Sequence, residues 1–203
     1  MNDADLVVPR GSIFGSKYLP DGSHLTDDET ARRARIIEFV VWAHFPILVA
    51  VAALGPQTLR HGLVDIAPIL TVAVGARLAP TRGMRNALLS LALLGCSAGL
   101  IHLTDGLIEM HVHLYVGMVL IALLQDWRPY GISVLFVAAH HIGLSLIDPE
   151  SVFNHQAAQN KPVLWALIHA GLLIAETVAI MLFWGTAHDA HARSVAEQSA
   201  RLE

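Results

Sequence analysis

Cysteine is almost missing from this sequence: the 203-residue chain has one, Cys96. A single cysteine forms no internal disulfide and no cysteine-rich zinc or iron–sulfur centre. Charge is scarce as well. Only 15% of residues are charged, where a soluble domain carries about 25%. The formal net charge of −4 gives no basis for nucleic-acid binding. What is abundant is apolar: 54% of residues are hydrophobic and the mean hydropathy is +0.53. That excludes disorder, which needs low hydrophobicity and high charge. The other excess is histidine, with 12 residues. Any metal chemistry must therefore rest on imidazole with carboxylate help.

A spanning helix needs about 20 mostly apolar residues. Six segments approach or meet that length: 36–54, 63–79, 87–103, 107–124, 130–147 and 163–184. Short polar pieces separate them, including Gly55-Pro56-Gln57, Pro80-Thr81-Arg82-Gly83, Thr104-Asp105-Gly106 and Gln125-Asp126-Trp127-Arg128-Pro129. Gly and Pro punctuate helices. The segments are too long for barrel strands and do not alternate, so the expected fold is all-α, an integral membrane six-helix bundle. Residues 1–35 form a polar N-terminal segment, 36–184 the transmembrane domain and 185–203 an exit segment. Thr26 followed by Glu29 reads as a capping box at a helix start.

Basic residues orient the bundle. With both termini in the cytoplasm, eleven Lys and Arg fall on that side and two, Arg60 and Lys161, fall outside. This bias places the termini inside.

The same topology sorts the histidines. Eight of the 12 lie between the midplane and the outer surface: His44, His102, His111, His113, His140, His141, His155 and His169. Ionisable groups inside a membrane are costly and are functional candidates by default. Asp65, Asp105 and Glu109 share the outer level, and Glu176 lies deeper in the last span. Glu109 and His113 are four apart and share a helix face. His111 and His113 point to nearly opposite sides, and His169 and Glu176 share one stripe. The expected metal ligands are His102, His111, His113, His140, His141 and His169. Additional or outer-shell groups are His44, Glu109, Asp105, His155 and Glu176.

Imidazole suits copper, zinc and iron, and carboxylates can orient the imidazoles. A haem b held by an axial pair such as His113 and His169 is the alternative. A metal-dependent membrane oxidase or hydroxylase is a further one. Such enzymes use histidines three or four apart, whereas this chain has His-x-His and His-His. A metal-free set of histidines titrating near neutral pH is the last. No enzymatic activity is expected of the chain itself.

After Trp184-Gly185 the sequence is rich in Ala, Glu, Arg and Gln, with no Pro. It predicts a helix leaving the membrane. Ala187, Ala190, Ser194 and Val195 give it a small-residue stripe suited to pairing in a homodimer.

Five short strings complete the pattern: Gly106-Leu-Ile-Glu-Met-His-Val-His-Leu-Tyr115, Gln125-Asp-Trp-Arg-Pro129, Ala139-His-His141, Asp148-Pro149 and Phe153-Asn-His155. Together they resemble the N-terminal multi-span sensor region of bacterial signalling proteins, over roughly residues 24–186. In that family the region precedes chemotaxis-receptor, diguanylate cyclase or histidine kinase modules. The resemblance implies a sensory role, a cytoplasmic output module as partner, and His111, His113, His140, His141 and His155 as shared features. It does not choose between metal and haem.

Overall fold

The computed structural model describes residues 17–22 and 25–201. Arg10 and His24 lie outside the described residues. Within them the regular elements are helical, and β-type pairing is limited to an isolated bridge between Asp21 and Asp126. The helices are α1 (Asp27–Leu54), α2 (Leu59–Leu78), α3 (Arg82–Leu103), α4 (Ile108–Ala122), α5 (Trp127–Ile147), the short α6 (Gln156–Gln159) and α7 (Pro162–Ala200). A single 3-10 turn, Pro149–Ser151, leads from α5 towards α6.

Side-chain caps mark the starts of α1, α2, α3 and α5. The Thr26 hydroxyl accepts from the Glu29 N–H at 3.2 Å, and the Glu29 carboxylate accepts from the Thr26 N–H at 3.0 Å. This is the capping box read from the sequence. Thr58 and Thr81 accept from the His61 and Met84 N–H groups, and Asp126 accepts from Arg128 N–H. Each satisfies one of the donors that a helix start leaves unpaired. Capping moves α2 to Leu59, four residues ahead of the expected start, so His61 sits on a helix rather than in a loop.

The long helices alternate in direction. At the end where α1 begins, Arg33 donates to the Leu123 carbonyl at 2.8 Å and Arg82 pairs with Asp27 at 2.8 Å. Arg77 and Arg85 both reach Glu38, each at 2.7 Å. The Trp184 indole N–H donates to the Ala122 carbonyl at 2.9 Å. At the distal end Gln57 donates to Asp105 at 2.6 Å, and Phe153 stacks over His111.

α3 is the central element and packs against α1, α2, α4 and α5. It buries Leu89, Ala92, Leu93, Leu94, Cys96, Ser97, Leu100 and Ile101 on several sides. α7 packs on α5 and α4 and leaves most of its apolar residues exposed, among them Leu167, Leu172, Ile174 and Phe183. That outward apolar surface is what a lipid-facing helix presents.

Five helices, α1, α2, α3, α5 and α7, are long and apolar enough to cross a membrane. The expected fourth span, 107–124, is instead the 15-residue α4. At 1.5 Å per residue it covers about 23 Å, less than the hydrocarbon core of about 30 Å. Its length is limited from both sides. Asp105 and Gly106 have positive φ before it. After it, the N–H groups of Leu123, Leu124 and Gln125 each bond three residues back, and Gln125 is left-handed.

α7 runs unbroken for 39 residues, so the exit segment and the last apolar span are one helix. Its far part is exposed from Asp189 to Ala200. Lys17 and Tyr18 lie against α7, and Pro20 to Gly22 lie against the α4–α5 connection. The Tyr18 ring fills the space beside Gly185, and Lys17 pairs with Asp189 at 2.9 Å.

Candidate histidine sites between the helices

The histidines expected in one cluster fall into three groups. α4 makes the first division, because His111 and His113 project from opposite sides of it, as their spacing requires.

The His113 side faces α1 and α3. Its Nε2 lies 2.9 Å from His44 Nε2, and its Nδ1 lies 2.8 Å from Ser97 Oγ. His44 Nδ1 lies 2.6 Å from the Val40 carbonyl and must donate to it. That leaves His44 Nε2 as an acceptor for the proton on His113 Nε2. His113 Nδ1 then accepts from the Ser97 hydroxyl. Every ring nitrogen in the pair is occupied with both imidazoles neutral. These two histidines join three helices by hydrogen bonds.

The His111 side faces α5 and α7. His111, His141 and His169 have ring centroids 5.5, 5.7 and 5.1 Å apart. Each Nδ1 donates to the carbonyl four residues before it: Leu107 at 3.2 Å, Val137 at 3.1 Å and Trp165 at 2.7 Å. These bonds fix the tautomer with the proton on Nδ1 and leave Nε2 as a lone pair. His111 Nε2 and His141 Nε2 are buried and have no hydrogen-bond partner. The three rings line one cavity with Tyr115, Met118 and Glu176. Both Glu176 carboxylate oxygens are likewise buried without a partner. Free space in the cavity is about 20 Å³, room for roughly one water.

Of the two adjacent histidines, His141 faces this cavity and His140 does not line it. The His140 ring stands 5.3 Å from His141 and stacks on Phe136 at 6.2 Å. Phe153 closes the distal side, stacked parallel to His111 at 6.4 Å and tilted on His169 at 5.8 Å. His155 does a local job. Its Nδ1 accepts from the Ala158 N–H at 3.1 Å and caps α6, while its ring meets Trp165 edge-on.

The third group is at the distal rim. His102, on the last turn of α3, meets His61 and Asp65 of α2. Their candidate ligand atoms all lie within 4.8 Å of one another, which among the described residues is true of this set of three alone. The buried trio is looser at its nitrogens. Its ring centroids are 5.1–5.7 Å apart, but its ligand nitrogens do not meet the 4.8 Å spacing of the rim set.

Of the remaining expected residues, Glu109 is exposed, and Asp105 is engaged by Gln57. The axial pair His113 and His169 is divided between two groups. Sequence reasoning gave no role to Ser97 or to the rim partner His61, and named Phe153 only within the Phe153-Asn-His155 string. His61 and Asp65 at i, i+4 were a legible signal.

The chain is similar to the transducer protein Htr8 of Halobacterium salinarum, with 31% identity over 182 residues, covering 83% of this chain and 28% of that protein. It therefore spans about 28% of the length of this curated relative. No family model and no solved structure matches the chain.

Proposed function

We propose that the chain is a membrane signal-input domain that binds a transition-metal ion through His111, His141 and His169 and passes the state of that site on through α7. One observation carries this reading. Three imidazoles from three helices converge on one small cavity, each with Nδ1 tied to a backbone carbonyl. Metal-binding histidines are oriented in this way, since the bond fixes the ring and presents the other nitrogen. Glu176 adds a carboxylate to the same cavity. Copper, zinc or iron suits such a donor set. A bound ion would supply a position at which a gas, a redox change or ion exchange alters the ligand set. The free volume of about 20 Å³ favours an occupant of ionic size over haem b.

The similarity to a transducer protein supports the signalling role. The excess of basic residues at the end where α1 begins supports placing that end in the cytoplasm; six spans, both termini cytoplasmic and a bacterial inner membrane are part of the proposal. α7 carries His169 and Glu176 and continues to Ala200, so a shift at the cavity has a direct mechanical exit. A homodimer with paired exit helices and a cytoplasmic output module completes the proposal. No catalytic role is proposed.

Protein purified from metal-replete membranes tests this by visible spectroscopy together with elemental analysis. The expected result is a stoichiometric transition metal and no Soret band. A Soret band, or the lack of both metal and haem, would overturn the reading.

A further inference from the structure

We infer that the distal rim holds a second, separate metal site, formed by His61, Asp65 and His102, which takes a zinc-class divalent ion. His61 and Asp65 are one turn apart on α2 and share a face, and His102 reaches them from the last turn of α3. His61 Nε2 lies 3.2 Å from Asp65 Oδ2, His102 Nε2 lies 3.4 Å from the same oxygen, and the two nitrogens are 3.2 Å apart. Three electronegative atoms thus form a nearly equilateral triangle. Tetrahedral zinc, with ligands at about 2.0–2.1 Å, sets adjacent ligand atoms about 3.3–3.4 Å apart. The triangle has the dimensions of one face of that tetrahedron.

With both imidazoles neutral and bonded to each other, one acceptor of the arrangement is left unfilled. One proton shared between the two imidazole nitrogens satisfies that pair, yet Asp65 Oδ2 is buried and has no hydrogen-bond donor. A cation among the three atoms removes the conflict, because all three then direct lone pairs at it. The fourth position faces outward. The His61 and His102 side chains are 47% and 33% exposed, so an ion can enter from the aqueous side and keep a water. Binding would pin the start of α2 to the end of α3, beside the Gln57–Asp105 bond that already joins the two neighbouring connections.

The site shares no residue with the cavity of His111, His141 and His169, so its failure leaves that reading intact. The test uses the full chain in lipid vesicles with His141→Leu as the parent, which disables the buried cavity. Cobalt(II) serves as a spectroscopic substitute for zinc. The parent is expected to show the intense visible bands of low-coordinate cobalt, displaced by zinc. His61→Ala and Asp65→Asn are each expected to weaken cobalt binding at least about tenfold. Asp65→Glu should recover part of it. His61 is exposed and Asp65 half-buried, both in the first two turns of α2, and helical circular dichroism checks that each variant folds. Cobalt affinity unchanged in both variants, or no cobalt spectrum in the parent, would overturn the inference and leave a hydrogen-bonded His–Asp pair.

Discussion

His113 shows what decides between a ligand and a packing residue. Composition and depth alone place it with His111, and the two are only two positions apart. Helix geometry turns one to α5 and α7 and the other to α1 and α3. On the second side Ser97 and His44 take both nitrogens of His113, leaving no lone pair for an ion. Removing the serine should therefore cost stability and spare the metal. Ser97→Ala is expected to lower stability by about 0.6–1.7 kcal/mol, the range for a hydrogen bond between membrane helices, with metal content unchanged. Thermal unfolding and elemental analysis of one preparation check this; loss of metal would show that the His113 group is the binding site. The level of the histidines was legible in the sequence because charge bias and span length fix depth. Their partition into three groups was not, since it depends on helix rotation and on a serine one helix away.

Two short connections control how the helices meet. Gly106 has φ +73°, and a Cβ there would lie 2.6 Å from the Phe153 backbone nitrogen and from the Val152 carbonyl carbon. Neither atom can move aside without the loop that places Phe153 over His111. Gly106→Ala is expected to destabilise by at least about 2 kcal/mol, combining left-handed strain with a backbone clash. It should also reduce metal retention, as read by denaturation and metal analysis. An unperturbed variant would mean that the α3–α4 turn does not hold the loop.

The other connection is Asp126, the cap of α5. Burial pushes its carboxyl above the ordinary carboxylate range, against the bond it accepts from the Arg128 N–H. A raised carboxyl holds its proton more tightly in the folded chain, so ionisation opposes folding. Its contribution is full below the unfolded value of about 3.9 and is lost as pH rises through the raised value. Asp126→Asn keeps an acceptor cap without the charge. Its thermal midpoint at pH 7 should equal or exceed that of the parent, with a flatter pH profile above pH 4. A lower midpoint would show that the charge itself is needed. The capping box at Thr26 and the turn at Gly106 were legible as motifs. The shortness of α4 was not, because apolar Leu123 and Leu124 continue the hydropathy beyond the last helical turn, and the tight bonds that end the helix have no composition of their own.

At the scale of the whole molecule, alternating helices put the start of α1 and the arginine pairs at one end and the rim histidines at the other. The near-absence of cysteine helps here, since Cys96 is fully buried in the core. Single cysteines can be introduced without a reactive background. Lys161→Cys at the distal end should react with an impermeant maleimide on intact cells, and Ala190→Cys on α7 only after permeabilisation. The reverse pattern would invert the orientation. α7, at about 58 Å for 39 residues, exceeds any bilayer core, so the helix that bears the cavity's His169 continues beyond it. The central claim is that this cavity holds a metal. It is tested most directly by elemental analysis and visible spectroscopy of the full chain carrying His61→Ala, which removes the rim site, compared with the same chain also carrying His141→Ala. The account predicts a stoichiometric transition metal without a Soret band in the first and its loss in the second. Metal retained after His141→Ala, or none bound in the first, would contradict it.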